Sequence, residues 1–193
     1  MLSDIRKILL ESAEVKRLTA ETIEDEIAQA ARLCVTSLKN GGKIALCGNG
    51  GSAADAQHLA GELIGRLLLE RPGYAGLALT TDTSILTATG NDYGFDEVFS
   101  RQVEGLLKPE DVLVVLSTSG NAADCVRAAE KAIEIGAKTI GMTGEKGGRL
   151  AEICDICLKV PSSVTARIQE THITIGHILC LIIERELVAG ETE

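Results

Sequence analysis

Five short apolar or β-branched runs alternate with segments of helical periodicity: Lys43 to Cys47, Ala75 to Thr80, Asp111 to Leu116, Thr139 to Met142 and Ile153 to Val160. That alternation constrains the fold more than any other feature. Strand followed by helix, repeated, implies a mostly parallel sheet, because a parallel crossover needs a long return path and a helix supplies it. The composition agrees. Of 193 residues 45% are apolar, yet there are only two Tyr, two Phe and no Trp. A core with so few rings must be packed with Ile, Leu, Val and Ala, as happens where helices cover both faces of a parallel sheet. The expected fold is α/β, a parallel five-stranded sheet flanked by helices, and the length suits one well-buried domain.

The first 40 residues read as helical. Ile5, Ile8, Leu9, Ser12 and Val15 keep to one face of a first helix, and Ile23, Ile27, Ala30, Cys34 and Leu38 to one face of a second, which Gly41-Gly42 ends. No repeat, low-complexity stretch or linker interrupts the chain, so residues 1–193 are expected to form a single domain. Between Thr81 and Leu107 the connection is longer, with Asn91-Asp92-Tyr93-Gly94 as a turn between two short helices, and a long last helix runs from about Val164 to Val188.

Charge and hydropathy narrow the partners. With 19 basic against 28 acidic side chains the net charge is −9, which argues against a nucleic acid, since such a binder needs a basic stripe and usually stacking aromatics. No basic amphipathic segment suggests a membrane surface. The longest greasy stretch, Ile178 to Ile183, is far short of the roughly 20 residues that span a bilayer. Met1-Leu2-Ser3-Asp4 opens straight into a charged helical pattern without the apolar core of a signal peptide, and the six cysteines read as reduced thiols, so a cytoplasmic protein is expected.

In an open parallel sheet ligands sit outside the carboxyl ends of the strands. Three loops there stand out: Gly48-Asn49-Gly50-Gly51-Ser52, Ser117-Thr118-Ser119-Gly120-Asn121 and Thr143-Gly144-Glu145-Lys146-Gly147-Gly148. The first follows a strand and opens a helix, where free backbone N–H groups and the helix dipole make an anion site. It also fits G-x-G-x-x-A, a dinucleotide fingerprint. That rival expects an acidic residue about 20 residues on, and Asp82, the nearest candidate, lies well beyond. The second loop adds three hydroxyls and several amides. Neither is a P-loop, so a phosphate monoester held by neutral donors is the simpler expectation.

His58 and Glu62 are four apart on the helix that begins near Ser52, hence on one face and able to converge on one atom. On the last helix Gln169, His172 and His177 punctuate an apolar run. Gln169 and His172 share a face, whereas Gln169 and His177 are eight apart, about 12 Å along an ideal helix. One metal reaches both only with extended side chains, a broken helix or ligands from two chains. Cys154 and Cys157 suggest a zinc or redox pair, but on a strand residues three apart point to opposite faces, so the sulfurs are expected to diverge as structural thiols.

Taken together, Gly48 to Ser52, His58 with Glu62, Gly90-Asn91-Asp92-Tyr93-Gly94-Phe95, Ser117 to Asn121 and Ala166-Arg167-Ile168-Gln169-Glu170 with His177 resemble the phosphoheptose isomerase branch of the sugar isomerase (SIS) domain family over essentially the whole chain. The resemblance implies a SIS-type, flavodoxin-like three-layer sandwich. It implies a homotetramer with sites between subunits, residues 1–40 serving as a helical extension used in oligomer packing. The implied reaction converts D-sedoheptulose 7-phosphate to D-glycero-D-manno-heptose 7-phosphate through an enediol, the first step of nucleotide-activated heptose biosynthesis for lipopolysaccharide. One zinc per subunit is implied, on His58, Glu62, Gln169 and His177, which selects His177 over His172. Implied substrate contacts are Asn49, Gly50, Gly51, Ser52, Glu62, Asn91, Asp92, Ser117, Thr118, Ser119 and Gln169. Glu62 is the expected base and His177 its proton-moving partner. Ala122 departs from the family, which often has a serine there that touches the substrate. The competing expectation is a non-catalytic SIS protein that binds a sugar phosphate or a replication-initiator partner. Such relatives keep the loops but match poorly at the acid–base positions, and both Glu62 and His177 are present.

Overall fold

The computed structural model describes residues 1–190. Five strands, β1 (Ile44–Gly48), β2 (Gly76–Ala78), β3 (Val112–Leu116), β4 (Lys138–Thr143) and β5 (Ile156–Lys159), form one all-parallel sheet in the order β2-β1-β3-β4-β5. The helices are α1 (Leu2–Lys39), α2 (Gly51–Ile64), α3 (Thr83–Asp92), α4 (Ser100–Leu106), α5 (Ala123–Ile135), α6 (Leu150–Ile153) and α7 (Thr165–Gly190), with a 3-10 turn at Phe95–Glu97. Because side chains alternate along a strand, the sheet feeds two cores. Ile44, Leu46, Val112, Val114, Ile140 and Met142 pack under α1, α2 and α7. Ala45, Cys47, Leu113 and Val115 pack under α4, α5 and α6 with Val98 and Phe99. The result is the expected helix–sheet–helix sandwich.

Two local readings change. The two N-terminal helices are one long α1 broken at Ile23 (φ −137°, ψ 21°). The kink has a cause: Thr19 and Thr22 donate their hydroxyls to the carbonyls of Val15 and Leu18 at 2.7 and 2.8 Å, and such back-bonding bends a helix. On its first turns Ile5, Ile8 and Leu9 are about half exposed or more, whereas Ile27, Ala30 and Cys34 are buried. The second change concerns the cysteines. β5 starts at Ile156, so Cys154 lies off the strand, and a Cβ placed on Gly141 would stand 3.3 Å from the Cys154 sulfur and 3.5 Å from that of Cys157. The sulfurs flank one glycine instead of diverging. Burial pushes the Cys154 thiol up to about 12, which suits an inert structural thiol. All six cysteines are free, and among the described residues no helix is long and apolar enough to cross a membrane.

His172 belongs to the core. Its Nε2 donates to the Thr143 carbonyl at 3.1 Å, tying α7 to the end of β4, and burial pushes its pKa down to about 4. The native state therefore keeps it neutral where an unfolded chain takes a proton below about pH 6.5. The unfolded state binds more protons between these values, so stability falls as pH drops through that window, by about 3 kcal/mol when complete. Urea midpoints measured between about pH 7.5 and 4.5 should fall for the parent chain and fall less for His172→Gln. Equal slopes would rule out this origin.

Candidate active site

The carboxyl ends of β1 and β3 are neighbours, with Gly48 paired opposite Leu116, at the point where the strand order reverses. Both glycine- and serine-rich loops therefore open on one edge of the sheet. Gly50 takes φ 55°, a left-handed turn that only glycine adopts freely, and α2 starts at the next residue. α5 starts six residues after Ser117. Asn49 joins the two loops: its Nδ2 donates to both carboxylate oxygens of Asp124 at 3.0 and 2.8 Å. Asp124 is buried and also accepts from the Cys125 amide at 2.8 Å. The sequence carried no signal for this role, because an acidic residue in a first helical turn is ordinary. Ser52 and Ser117 are buried, Thr118 is half-buried and Ser119 exposed. Thr118 and Ser119 line a cavity of about 270 Å³ with Asn121, Lys146, Ser162 and Thr165. A larger cavity of about 630 Å³, around Leu38, Gly42, Gly73 and Tyr74, lies at the amino-terminal edge of the sheet, away from these loops.

The acid–base groups come from α2 and α7, which run side by side with the same polarity. A Cβ on Gly51 would lie 2.7 Å from the Gln169 Nε2, and one on Gly176 would lie 2.4 Å from Leu59 Cδ1. Next to the second of these close approaches His58 Nε2 and His177 Nε2 stand 2.8 Å apart, rings edge to face. Glu62 Oε1 is 3.4 Å from His58 Nε2. His58, Glu62 and His177 each offer a ligand atom within 4.8 Å of the others. Gln169 lies at the other end of the same seam, its amide against Gly51. Asn91 and Asp92 stand exposed at the far end of α3, with Asn91 donating to Asp92 at 2.8 Å. Asp82, the residue a dinucleotide site would need, instead caps α3 by accepting from the Ile85 amide at 2.9 Å.

The chemistry of the cluster suits a cation. Two imidazole nitrogens at contact distance are either donor and acceptor or two lone pairs facing one ion. Two His and one Glu make a donor set typical of catalytic zinc, whose tetrahedral ligands lie about 3.3 Å apart. Asp55, one turn before His58, adds a second sign. Its Oδ2 is buried without a hydrogen-bond partner; burial raises its carboxyl above the usual range while His58 and His177 lower it. An unsatisfied acidic oxygen beside two imidazoles is what the outer shell of a metal site needs. Sequence reading missed Asp55, although its i,i+3 spacing to His58 placed it on the same face.

A model of the SIS domain matches residues 10–144. The phosphoheptose isomerase of Aliarcobacter butzleri is 54% identical over 187 residues, covering 97% of this chain and 99% of that one. Among solved structures, the phosphoheptose isomerase of Neisseria gonorrhoeae superposes with a TM-score of 0.90 at 46% identity, covering 96% of this chain and 100% of that one. The enzyme from Francisella tularensis gives a TM-score of 0.92 at 41% identity, with 95% and 98% covered. Such identity over nearly the full length of both partners goes far beyond a shared fold, and the chain belongs to the phosphoheptose isomerase family of SIS-domain isomerases.

Proposed function

We propose that the protein interconverts D-sedoheptulose 7-phosphate and D-glycero-D-manno-heptose 7-phosphate in the cytoplasm, supplying nucleotide-activated heptose for lipopolysaccharide. The observation that carries this reading is the convergence of Glu62 with His58 and His177, two of them on the helix that opens from the first glycine-rich loop. A phosphate at the amino ends of α2 and α5 meets backbone amides and the hydroxyls of Ser52, Ser117, Thr118 and Ser119. Asn49, Gly50, Gly51 and Gln169 line the way to the acid–base pair, and Asn91 and Asp92 complete the substrate contacts.

An aldose–ketose exchange moves one proton between carbons and one between oxygens. Glu62 takes the proton from C1 of the ketose while His177 donates one to the C2 oxygen, giving the enediol. His177 then accepts the proton from the C1 oxygen, and Glu62 returns its proton to C2. His58, Glu62 and His177 would hold one zinc per subunit, which polarises the carbonyl oxygen when bound, and Gln169, at the other end of the seam, would join them only through an extended side chain or from a second chain. A carboxylate that is both ligand and base must loosen as ligand to act as base. The exposed apolar face of α1 around Ile5, Ile8 and Leu9 supports a homotetramer packed through residues 1–40.

Incubation with sedoheptulose 7-phosphate, followed by NMR, should show the aldose product. Glu62→Gln should fold and bind the sugar phosphate but lose turnover by several orders of magnitude, and chelation should abolish turnover until zinc is restored. No product from the zinc-loaded parent chain, or near-normal turnover in the variant, would reject this reading. Sedimentation should read four copies. Ala122 sits at the N-cap of α5 without a side-chain cap. Ala122→Ser should add a helix cap worth about 1 kcal/mol and a donor to the phosphate, so Tm should rise while KM falls by about tenfold. An unchanged KM would place the phosphate elsewhere.

A further inference from the structure

The end of α2 is held by an ion pair that the proposed chemistry does not use. Arg71 lies in the loop between α2 and β2, yet its side chain is only 2% exposed, and Glu184 on α7 is fully buried. Arg71 Nη2 donates to the Glu62 carbonyl at 2.9 Å; Nη1 donates to the carbonyls of Leu63, Gly65 and Pro72 at 2.8, 3.1 and 3.0 Å. Those of Glu62 and Leu63 are among the last four of α2, which have no partner inside the helix. The guanidinium stacks 4.0 Å over Tyr74, and its Nε faces Glu184 Oε1 at 3.6 Å. Glu184 in turn accepts from the amides of Leu68 and Leu69 at 3.0 and 2.7 Å. It lies seven residues beyond His177, two turns along the same face of α7. Cys180, between them, feels the charges of Glu62, Arg71 and Glu184 together, which places all three in one neighbourhood.

We propose that Arg71 and Glu184 are positioning residues that fix the spacing between the α2 side chains His58 and Glu62 and the α7 side chain His177. The inference rests on the proposed reading of those three as the catalytic and zinc centre. Two helices that share a centre need a rigid tie, because a displacement of about 1 Å can cost 10²-fold in rate. The glycine contacts set how closely the helices approach, and the ion pair ties the α2 end to the backbone of Glu62 itself. A buried pair is a poor device for stability alone, since apolar replacements often do as well. The planar fork of arginine can hold several carbonyls and a carboxylate at once, which the single ammonium of lysine cannot.

The test compares the zinc-loaded parent chain with Glu184→Gln and Arg71→Lys, using turnover of sedoheptulose 7-phosphate, zinc affinity by chelator competition, and Tm. Positioning predicts that Glu184→Gln stays folded and kcat falls roughly 10- to 100-fold, KM changes by less than about threefold, and zinc binds about tenfold more weakly. Arg71→Lys should lose at least as much. Wild-type kcat and zinc affinity in folded variants would overturn the proposal, as would a lowered Tm with unchanged zinc affinity. Failure of both variants to fold would assign the pair to folding and overturn it equally. A parent chain that makes no aldose would reject the functional reading instead, while the zinc-affinity arm would still report whether the pair sets the spacing.

Discussion

Helices α2 and α7 lie in parallel on one face of the sheet, and the proposed chemistry depends on how closely they approach. Their contacts advance together along both helices: Gly51 with Gln169 near the amino ends, then, about two turns on, the adjacent pairs His58 with His177 and Leu59 with Gly176. Beyond them the chain that leaves α2 reaches Glu184. Seven residues from Gly51 to His58 match eight from Gln169 to His177, so the two helices keep nearly the same step. A side chain at Gly176 would push Leu59 away and part the histidines. His58, Glu62 and His177 all hang on this seam, which is anchored below by the apolar face of the sheet through Leu59, Leu63, Ile175 and Leu179.

The proposed anion cradles depend on the sheet instead. Parallel strands bring every helix amino terminus that follows a strand to the same edge, and the reversal of order between β1 and β3 leaves a crevice there. A chain of net charge −9 can still receive an anion at such a place, because the donors are amides and hydroxyls a few ångströms away. Asn49 and Asp124 join the two loops below the crevice, fixing one cradle against the other.

Much of this was legible in the sequence. The five strands, the helices between them and the two loops followed from periodicity and glycine placement, and His58 with Glu62 followed from i,i+4 spacing. The break in α1 at Ile23 was hidden because threonine back-bonding leaves the hydrophobic period intact. The two cysteine sulfurs diverge only if Cys154 lies on a strand, and it stands before β5, so both sulfurs reach Gly141. Asp55, Asp124, Arg71 and Glu184 were passed over, since in a linear chain they look like any solvated charge. Their importance comes from burial and from partners 75 residues away for Asp124 and 116 for Glu184.

The sequence by itself determined the parallel α/β architecture, the strand ends that carry the glycine- and serine-rich loops, and the pairing of His58 with Glu62 on one helical face. These are consequences of periods of 2 and 3.6 residues and of backbone freedom at glycine, all of them local. Between His172 and His177 the family resemblance pointed to His177, and only the tertiary structure supplied the physical reason. Helical spacing left both open; the packing of α7 turned His172 inward to the Thr143 carbonyl and brought His177 against His58 across 119 residues of chain. Which face of α7 meets α2 depends on how both helices seat on a shared sheet, and no local pattern in either helix encodes that distance.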